Sequence, residues 1–451
     1  MNKKVVILGS GESGVGAALL AKAKGYDTFV SDSSTISDSF VAELNAAAIN
    51  FEQGKHSEDI VLSAQIIVKS PGIPEKAPIM KLIRAKGIEV ISEIEFAYRH
   101  IHAGAKFIAI TGSNGKTTTT LLTHHILTQL GYSVGLGGNI GTSLARQIIQ
   151  EKKDIYVLEL SSFQLDDMYT FKADVAVLLN ITPDHLDRYE YKFENYIASK
   201  FRIFQNLTPT DYYITYSEDK IIEAYKQHAN IHARYMPVSL KELYTEGAYS
   251  DEKTIQIHAL DDRLHTFNVS DFPLQGKHNY INIMAALNAV VAIGADAEKS
   301  AAAIKSFRNA PHRLEFVGSI FGVKYVNDSK ATNVDSVWYA LDSMKTPVVL
   351  IAGGVDKGND YSQIEALVRE KVHTVVALGK DNSKVLSGFG NMVSEIKEAH
   401  SMVEAIRIAH DSAKKGDTVL LSPACASFDL FKNYEDRGNQ FRNLVIELAG
   451  Y

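Results

Sequence analysis

Cysteine is almost missing from this chain: Cys425 is the only one in 451 residues. No internal disulfide can form, and the composition fits a reducing compartment. Long apolar runs are missing too. No stretch approaches the ~18 consecutive apolar residues of a membrane helix. The early run "VVILG" is broken by Gly9, which leaves it too short for a secretory signal. Excess positive charge is absent as well. The 47 Lys and Arg against 53 Asp and Glu give a net charge of −6, with none of the basic footprint of a nucleic-acid binder. Low-complexity segments and fixed-period repeats are not seen. These absences lead us to expect a cytoplasmic protein that binds neither nucleic acid nor membrane; a monomer is also expected.

What is present is ordinary globular material, 45% hydrophobic and 22% charged, long enough for two to four domains. Short apolar runs alternate with helical patterns. "KVVILG", "FIAITG", "IYVLEL", "VAVLLNI", "PVVLIAGG", "TVVALG" and "TVLLSP" lack polar alternation, so they read as strands buried on both faces of parallel sheets, an α/β class. The stretch 212–270 differs. "YYITYS", "TIQIHAL" and "LHTFNV" alternate like half-exposed strands, so an antiparallel section is expected there. Soft boundaries near 97–106 and 308–312, the latter at Pro311, suggest domains at 1–97, 98–309 and 310–451.

The segment "TGSNGKTTTT" follows a strand and precedes a helical pattern, the context of a phosphate-binding loop. Gly112, Ser113, Asn114 and Gly115 can turn backbone N–H groups toward phosphate oxygens. Lys116 can neutralise the β/γ-phosphates, while Thr117 can offer a hydroxyl to Mg²⁺, and Thr118 continues the turn. Gly112 and Gly115 stand closer than in the usual pattern, which argues against an ordinary GTPase or motor. Nearer the N-terminus, "GSGESG" precedes a helix and Asp32 ends the next strand, as in a dinucleotide fingerprint. The same turn can seat any anion at a helix start.

Glu159 and His185 close two further strand-like runs, where ligands bind in parallel sheets. A lone carboxylate beside a phosphate loop suits Mg²⁺. Asn279 and Asn282 stand at a helix start, one placed to cap and the other to reach a ligand. Arg313, Lys330 and Lys357 are cations beside turns after strands, suited to phosphate or carboxylate.

Taken together, "TGSNGKTTTT", "GGNIG", "ELSSFQL", "NITPDHLDR", "ASKFRIF", "GKHNYIN", "HRLE", "NDSKATN" and "SPACASFDLFKNYEDRG" resemble, in order, the motifs of the Mur ligase family. "DSKATN" and "SPACASFD" resemble its D-glutamate-adding branch. The resemblance implies Rossmann-like domains at both ends of the chain and a central mononucleotide-binding domain. It implies ATP, two Mg²⁺ ions, UDP-N-acetylmuramoyl-L-alanine and D-glutamate as ligands, and amide formation through an acyl phosphate. By the same resemblance, Gly112 to Thr118, Asn279, Arg313 and Asp328 would bind ATP. Thr117, Glu159, His185 and an N-carboxylated Lys200 would serve the metals. Lys116, His185, Lys200 and Lys330 would be catalytic. Ser13, Asp32, Ser33, Ser70, Asn139 and His185 would hold the UDP substrate, and Thr332, Lys357, Ser427 and Tyr434 would hold D-glutamate. Tyr434 stands where the family pattern has phenylalanine, and Glu12-Ser13 stands where Leu-Thr is common.

Two other readings remain open at this level. A ligase of the same family could add a different amino acid. An NAD-dependent oxidoreductase would use the first glycine-rich turn and Asp32 but leave the second loop without a role.

Overall fold

In the computed structural model, which describes residues 3–258, 260 and 263–450, the chain forms two compact units, Met1–Phe307 and Arg308–Tyr451. Unbroken apolar runs become central strands. Val5 to Leu8, Val157 and Leu158, and Val348 to Ile351 are all without exposed surface, as parallel strands covered on both faces require. Among the described residues no helix is long and apolar enough to cross a membrane.

The first unit opens with a five-stranded sheet. Its order across the sheet is Asn50–Gln53, Asp27–Asp32, Lys4–Leu8, Ile66–Lys69 and Glu89–Ser92, and every pairing is parallel. The second sheet has six strands, in the order Arg234–Tyr235, Tyr212–Thr215, Val175–Leu178, Lys106–Thr111, Ile155–Glu159 and Val134–Gly138, again all parallel. Its register sets Ile110 opposite Glu159 and Thr111 opposite Leu178. That places the end of the phosphate-loop strand beside the two strands that carry Glu159 and the Asn180–His185 segment.

A mixed four-stranded sheet follows, with Val238–Ser239, Gly247–Ser250, Thr254–His258 and Leu264–Asn268 in sequence. Only its first pairing is parallel. The expected antiparallel section is therefore present but begins later than expected. Tyr212–Thr215 belongs instead to the central parallel sheet. The strand's side chains pack on both faces, Tyr213 against one apolar cluster and Tyr212 and Ile214 against another, and the partly buried tyrosines make it read as half-exposed. Ala259, within "TIQIHAL", lies outside the described residues.

The boundary expected near 97–106 falls between the helix Glu93–Tyr98 and the strand Lys106–Thr111. Packing crosses it. One apolar core contains Val5 and Ile7 of the first sheet together with Phe96, Phe107, Tyr156 and Leu158. The Tyr98 and Phe107 rings meet edge to face at 5.4 Å, and Phe171 closes the group at 5.1 Å from Tyr98.

The second unit holds one six-stranded sheet. Its order is Glu315–Ile320, Val323–Asn327, Thr418–Leu421, Val348–Ala352, Val372–Leu378 and Glu395–Ala399. The edge strand Glu315–Ile320 is antiparallel to its neighbour and the rest are parallel. Apolar clusters on both faces bury it.

Candidate active site

The phosphate loop is held from below by the segment after Val175–Leu178. Ser113 N donates to Asn180 O at 2.9 Å. Asn114 N donates to Asn180 Oδ1 at 2.8 Å, and Asn180 Nδ2 returns a bond to Asn114 O at 3.1 Å. Ser113 Oγ donates to Thr182 O at 2.9 Å. Gly115 caps the helix Lys116–Gln129 with φ +84°, and a Cβ there would lie 2.4 Å from Asn282 Oδ1. Glycine is therefore required twice over, for the left-handed backbone and for space. The first turn of this helix carries no acidic residue, so its positive end is available to an anion.

Two lysines converge on one carbonyl. Lys116 Nζ donates to Gly112 O at 2.7 Å and to Ser113 O at 2.8 Å, and Lys200 Nζ donates to Gly112 O at 2.8 Å. Lys200 is buried in the helix Phe193–Phe201, its ammonium 4.7 Å from the Tyr196 ring centre. Burial and the neighbouring Lys116 charge hold its pKa well below the usual lysine value, against the opposing pull of Asp184, Glu159 and Asp166. A neutral amine in such a place is nucleophilic.

Glu159 lies beside them. Its Oε1 accepts from Asn139 Nδ2 at 2.9 Å, while Oε2 is buried with no hydrogen-bond partner. A buried carboxylate oxygen left unpaired is costly and marks a place for a missing partner. The residue types fit Mg²⁺ for that partner: a carboxylate on the strand beside the phosphate-loop strand, and the buried Thr117 at the start of the following helix. Among the described residues no group of three His, Cys, Asp or Glu could hold a metal, so a cage built only from such side chains is not available. His185 stands at the mouth with φ +53°, its Nε2 3.5 Å from Asp184 Oδ2 and its ring 5.1 Å from that of Phe163.

Asn279 and Asn282 take roles other than capping, because Gly276 is the N-cap of Lys277–Ala292 and has no side chain to contribute. Asn282 Oδ1 accepts from Thr119 Oγ1 at 3.2 Å and packs on Gly115. Asn279 Nδ2 donates to Gln275 O at 2.8 Å. Both are buried beside the phosphate-loop helix.

In the N-terminal sheet, Ser13, Asp32, Ser33 and Ser70 share the carboxyl edge of three adjacent strands. Asp32 Oδ2 accepts from Ser10 N at 2.7 Å and Ser10 Oγ at 2.6 Å, and Oδ1 from Ser34 N at 2.8 Å. Burial works to raise the Asp32 pKa, but these bonds hold it below the ordinary carboxylate value. Ser33 is exposed and Ser13 and Ser70 are half-buried.

In the second unit, Asp328, Lys330, Thr332, Lys357 and Ser427 follow adjacent parallel strands at one edge. Asp328 is buried, with Oδ1 accepting from Leu314 N at 3.2 Å and Oδ2 from Ser422 Oγ at 3.0 Å. Burial pushes its pKa up to about 7, opposed first by the Arg313 charge. The Nε of Arg313 is buried without a hydrogen-bond partner. Lys330 Nζ sits 5.3 Å from the Tyr434 ring centre. Ser427 is buried, whereas Lys357 is exposed and Thr332 half-buried.

Residues outside the expected set support these groups. Tyr196 joins its hydroxyl to Ser113 Oγ at 3.1 Å and lays its ring against Lys200. Arg437 is buried, donating from Nε to Ser329 Oγ at 3.0 Å, from Nη2 to Ser329 O at 2.8 Å and from Nη1 to Cys425 O at 3.1 Å. A helical pattern alone marks Tyr196 as core. An arginine in the polar run "NYEDRG" reads as solvated, so only its contacts reveal it.

Residues 110–290 match the Mur ligase middle domain, residues 312–425 the glutamate ligase domain of Mur ligases, and residues 3–92 the MurD-like Mur ligase N-terminal domain. A UDP-N-acetylmuramoylalanine–D-glutamate ligase of Cytophaga hutchinsonii is 87% identical over 450 residues, with 100% of both chains covered. The chain belongs to the Mur ligase family. A Porphyromonas gingivalis ligase of the same description is 51% identical over 451 residues, 98% of each chain. Among solved structures, a pseudomurein peptide ligase type C of Methanothermus fervidus aligns over 99% of this chain and 100% of its own, with a TM-score of 0.64 at 18% identity. At that identity it shares the fold.

Proposed function

We propose that this Mur ligase joins D-glutamate to UDP-N-acetylmuramoyl-L-alanine at the expense of ATP, in the cytoplasm and as a monomer. The observation that carries the reading is the meeting of Lys116, Lys200 and the half-orphaned Glu159 at the Gly112 turn. The full-length likeness to D-glutamate ligases supports these substrates.

Lys116, Arg313 and the N–H groups of Ser113 to Thr118 would hold the ATP phosphates, Asp328 would meet the ribose, and Asn279 would also bind the nucleotide. Thr117, Glu159, His185 and Lys200 would hold two Mg²⁺ ions. When bound, these would neutralise charge as two anions approach. Lys200 as an amine offers no oxygen to a cation; N-carboxylation by CO₂ would give it one, and its depressed pKa favours the neutral amine that reaction needs. Asn139, His185, Ser13, Asp32, Ser33 and Ser70 would hold the UDP substrate, and Thr332, Lys357, Ser427 and Tyr434 would hold D-glutamate.

A carboxylate is a poor electrophile. The γ-phosphoryl of ATP passes to the alanine carboxylate oxygen, releasing ADP and leaving an acyl phosphate. The D-glutamate amine attacks its carbonyl carbon and loses a proton, and the tetrahedral intermediate collapses to amide and inorganic phosphate. Lys330 would stabilise the charge that develops on this group. Segments 1–97, 98–309 and 310–451 would carry UDP-substrate, ATP and amino-acid binding respectively. Phosphate release should depend on UDP-N-acetylmuramoyl-L-alanine and D-glutamate together and ignore L-glutamate. Equal turnover with L-alanine or diaminopimelate would overturn the choice of amino acid.

A further inference from the structure

The loop Gly137–Ser143 presents Asn139 and is fixed at three places. Asn139 N donates to Glu159 O at 2.8 Å and its Nδ2 to Glu159 Oε1 at 2.9 Å. Behind it, Gln147 of the helix Leu144–Gln150 donates through Nε2 to Leu136 O at 2.7 Å and Thr142 O at 2.8 Å. The third anchor comes from the N-terminal sheet and its helices. Ser143 Oγ and Ala145 N donate to Glu93 Oε1 at 2.9 and 2.6 Å. Ser143 N donates to Glu12 Oε1 at 3.1 Å. A Cβ on Gly16 would lie 2.0 Å from Ser143 Oγ, so the contact is close as well as polar.

Glu93 has no part in phosphate or carboxylate chemistry, yet it is 3% exposed and its Oε2 is buried with no hydrogen-bond partner. Burying a carboxyl group with one oxygen unsatisfied is unfavourable unless the other does work that an apolar residue could not. We infer that Glu93 is a positioning residue for the Gly137–Ser143 loop, fixing the start of helix Leu144–Gln150 and, through Gln147, the seat of Asn139 against Glu159. This rests on the proposed role of Asn139 in holding the UDP substrate.

Only the accepting oxygen is needed for that task. Burial, and after the opposing bonds from Ala145 and Ser143 the charge of Glu12, bring the Glu93 carboxyl to about 7. Its other charged neighbours reach it through Arg146, which donates to Glu12 Oε1 at 3.0 Å and to Glu43 Oε2 at 2.6 Å. A neutral amide should therefore hold the loop as the acid does, and a methyl group should not.

The test measures the three KM values of the full-length enzyme by phosphate release, for Glu93→Gln, Glu93→Ala and Ser143→Ala, across about pH 6 to 8. Glu93→Ala should raise the KM for UDP-N-acetylmuramoyl-L-alanine about tenfold and leave those for ATP and D-glutamate within about twofold. Glu93→Gln should stay near wild type and lose any pH dependence of that KM across neutrality. If Glu93→Ala fails to fold, Ser143→Ala decides, with a rise of about threefold confined to the same substrate. Unchanged KM values, or a parallel rise in all three that glutamine does not relieve, would overturn the inference. Absence of D-glutamate-dependent turnover in the wild type would instead overturn the underlying activity.

Discussion

The chain builds the same strand–turn–helix twice in its first unit and gives the two copies opposite electrostatics. At Gly112–Lys116 the turn leads into a helix with no acid in its first turn, and Lys116 stands at the opening. At Gly9–Gly14 the helix Glu12–Ala23 has Glu12 in its first turn, and the Ser10 N–H already donates to Asp32 at 2.7 Å. On that second turn the Ser10 donor is committed to Asp32, and Glu12 is paired with Arg146 at 3.0 Å. Backbone shape therefore does not decide what a glycine-rich turn binds; the charges set into it do. The dinucleotide reading leaves the Gly112–Lys116 loop without a role, and the full-length likeness is to D-glutamate ligases.

The strongest test of the first turn is Lys200, which shares the Gly112 carbonyl with Lys116. Lys200→Ala should abolish nearly all phosphate release yet remain folded. Short carboxylic acids at high concentration should restore part of it by occupying the oxygen positions. Lys200→Arg should not be rescued, because its guanidinium stays charged and fills the space. Near wild-type turnover for Lys200→Ala without added acid would remove this residue from the site. Next in size is Lys116→Ala. Losing one electrostatic contact to developing charge should lower kcat by about 10²–10³-fold, roughly 2.7–4 kcal/mol, with little change in melting temperature. A large loss of stability with turnover intact per folded molecule would mean the loop is structural.

The N-terminal turn should answer to geometry instead. A Cβ on Gly14 would lie 2.0 Å from Gly9 O, a backbone atom that cannot swing aside. Gly14→Ala should therefore destabilise the first unit by about 1–3 kcal/mol, as overpacking does. Urea unfolding followed by the first-unit signal checks this, and wild-type stability would show that helix and turn separate more easily than they pack.

Most of this arrangement was legible in the chain itself. Unbroken apolar runs such as "KVVIL" and "IYVLE" give parallel strands by simple coverage, and glycine spacing places both turns. The strand Tyr212–Thr215 reads as antiparallel because its half-buried tyrosines, packed on opposite apolar clusters, imitate a half-exposed strand, whereas its partners are parallel. Polar partners were the least legible part. Nothing local pairs Asn139 with Glu159, Ser10 with Asp32, or Glu93 with Ser143 across 50 residues, because those bonds exist only once strands have paired within each sheet and the helices have packed. Arg437 shows the same limit from the other side, since a charged residue in a polar run reads as surface until its carbonyl acceptors are seen.

The smallest effect, and the one that separates the two turns most directly, belongs to Asp32. Its carboxylate is stabilised by Ser10 and Ser34 against the pull of burial, so its folded pKa lies below the ordinary value of 3.8. A depressed acid contributes stability that is fully present above the unfolded pKa and is lost as pH falls through the folded one. Wild-type protein should therefore lose a small increment of stability on the acid side of about pH 4 that Asp32→Asn does not lose, and the two unfolding curves should converge there. At neutral pH the variant should bind ATP normally but show a KM for UDP-N-acetylmuramoyl-L-alanine raised about tenfold, near 1.4 kcal/mol. Removing a negative charge from a turn that already carries Glu12 should not confer tight NADH binding. Tight NADH binding by either protein in calorimetry would show that this turn is an open anion seat after all, and the contrast with Gly112–Lys116 would then lie in side-chain placement rather than charge.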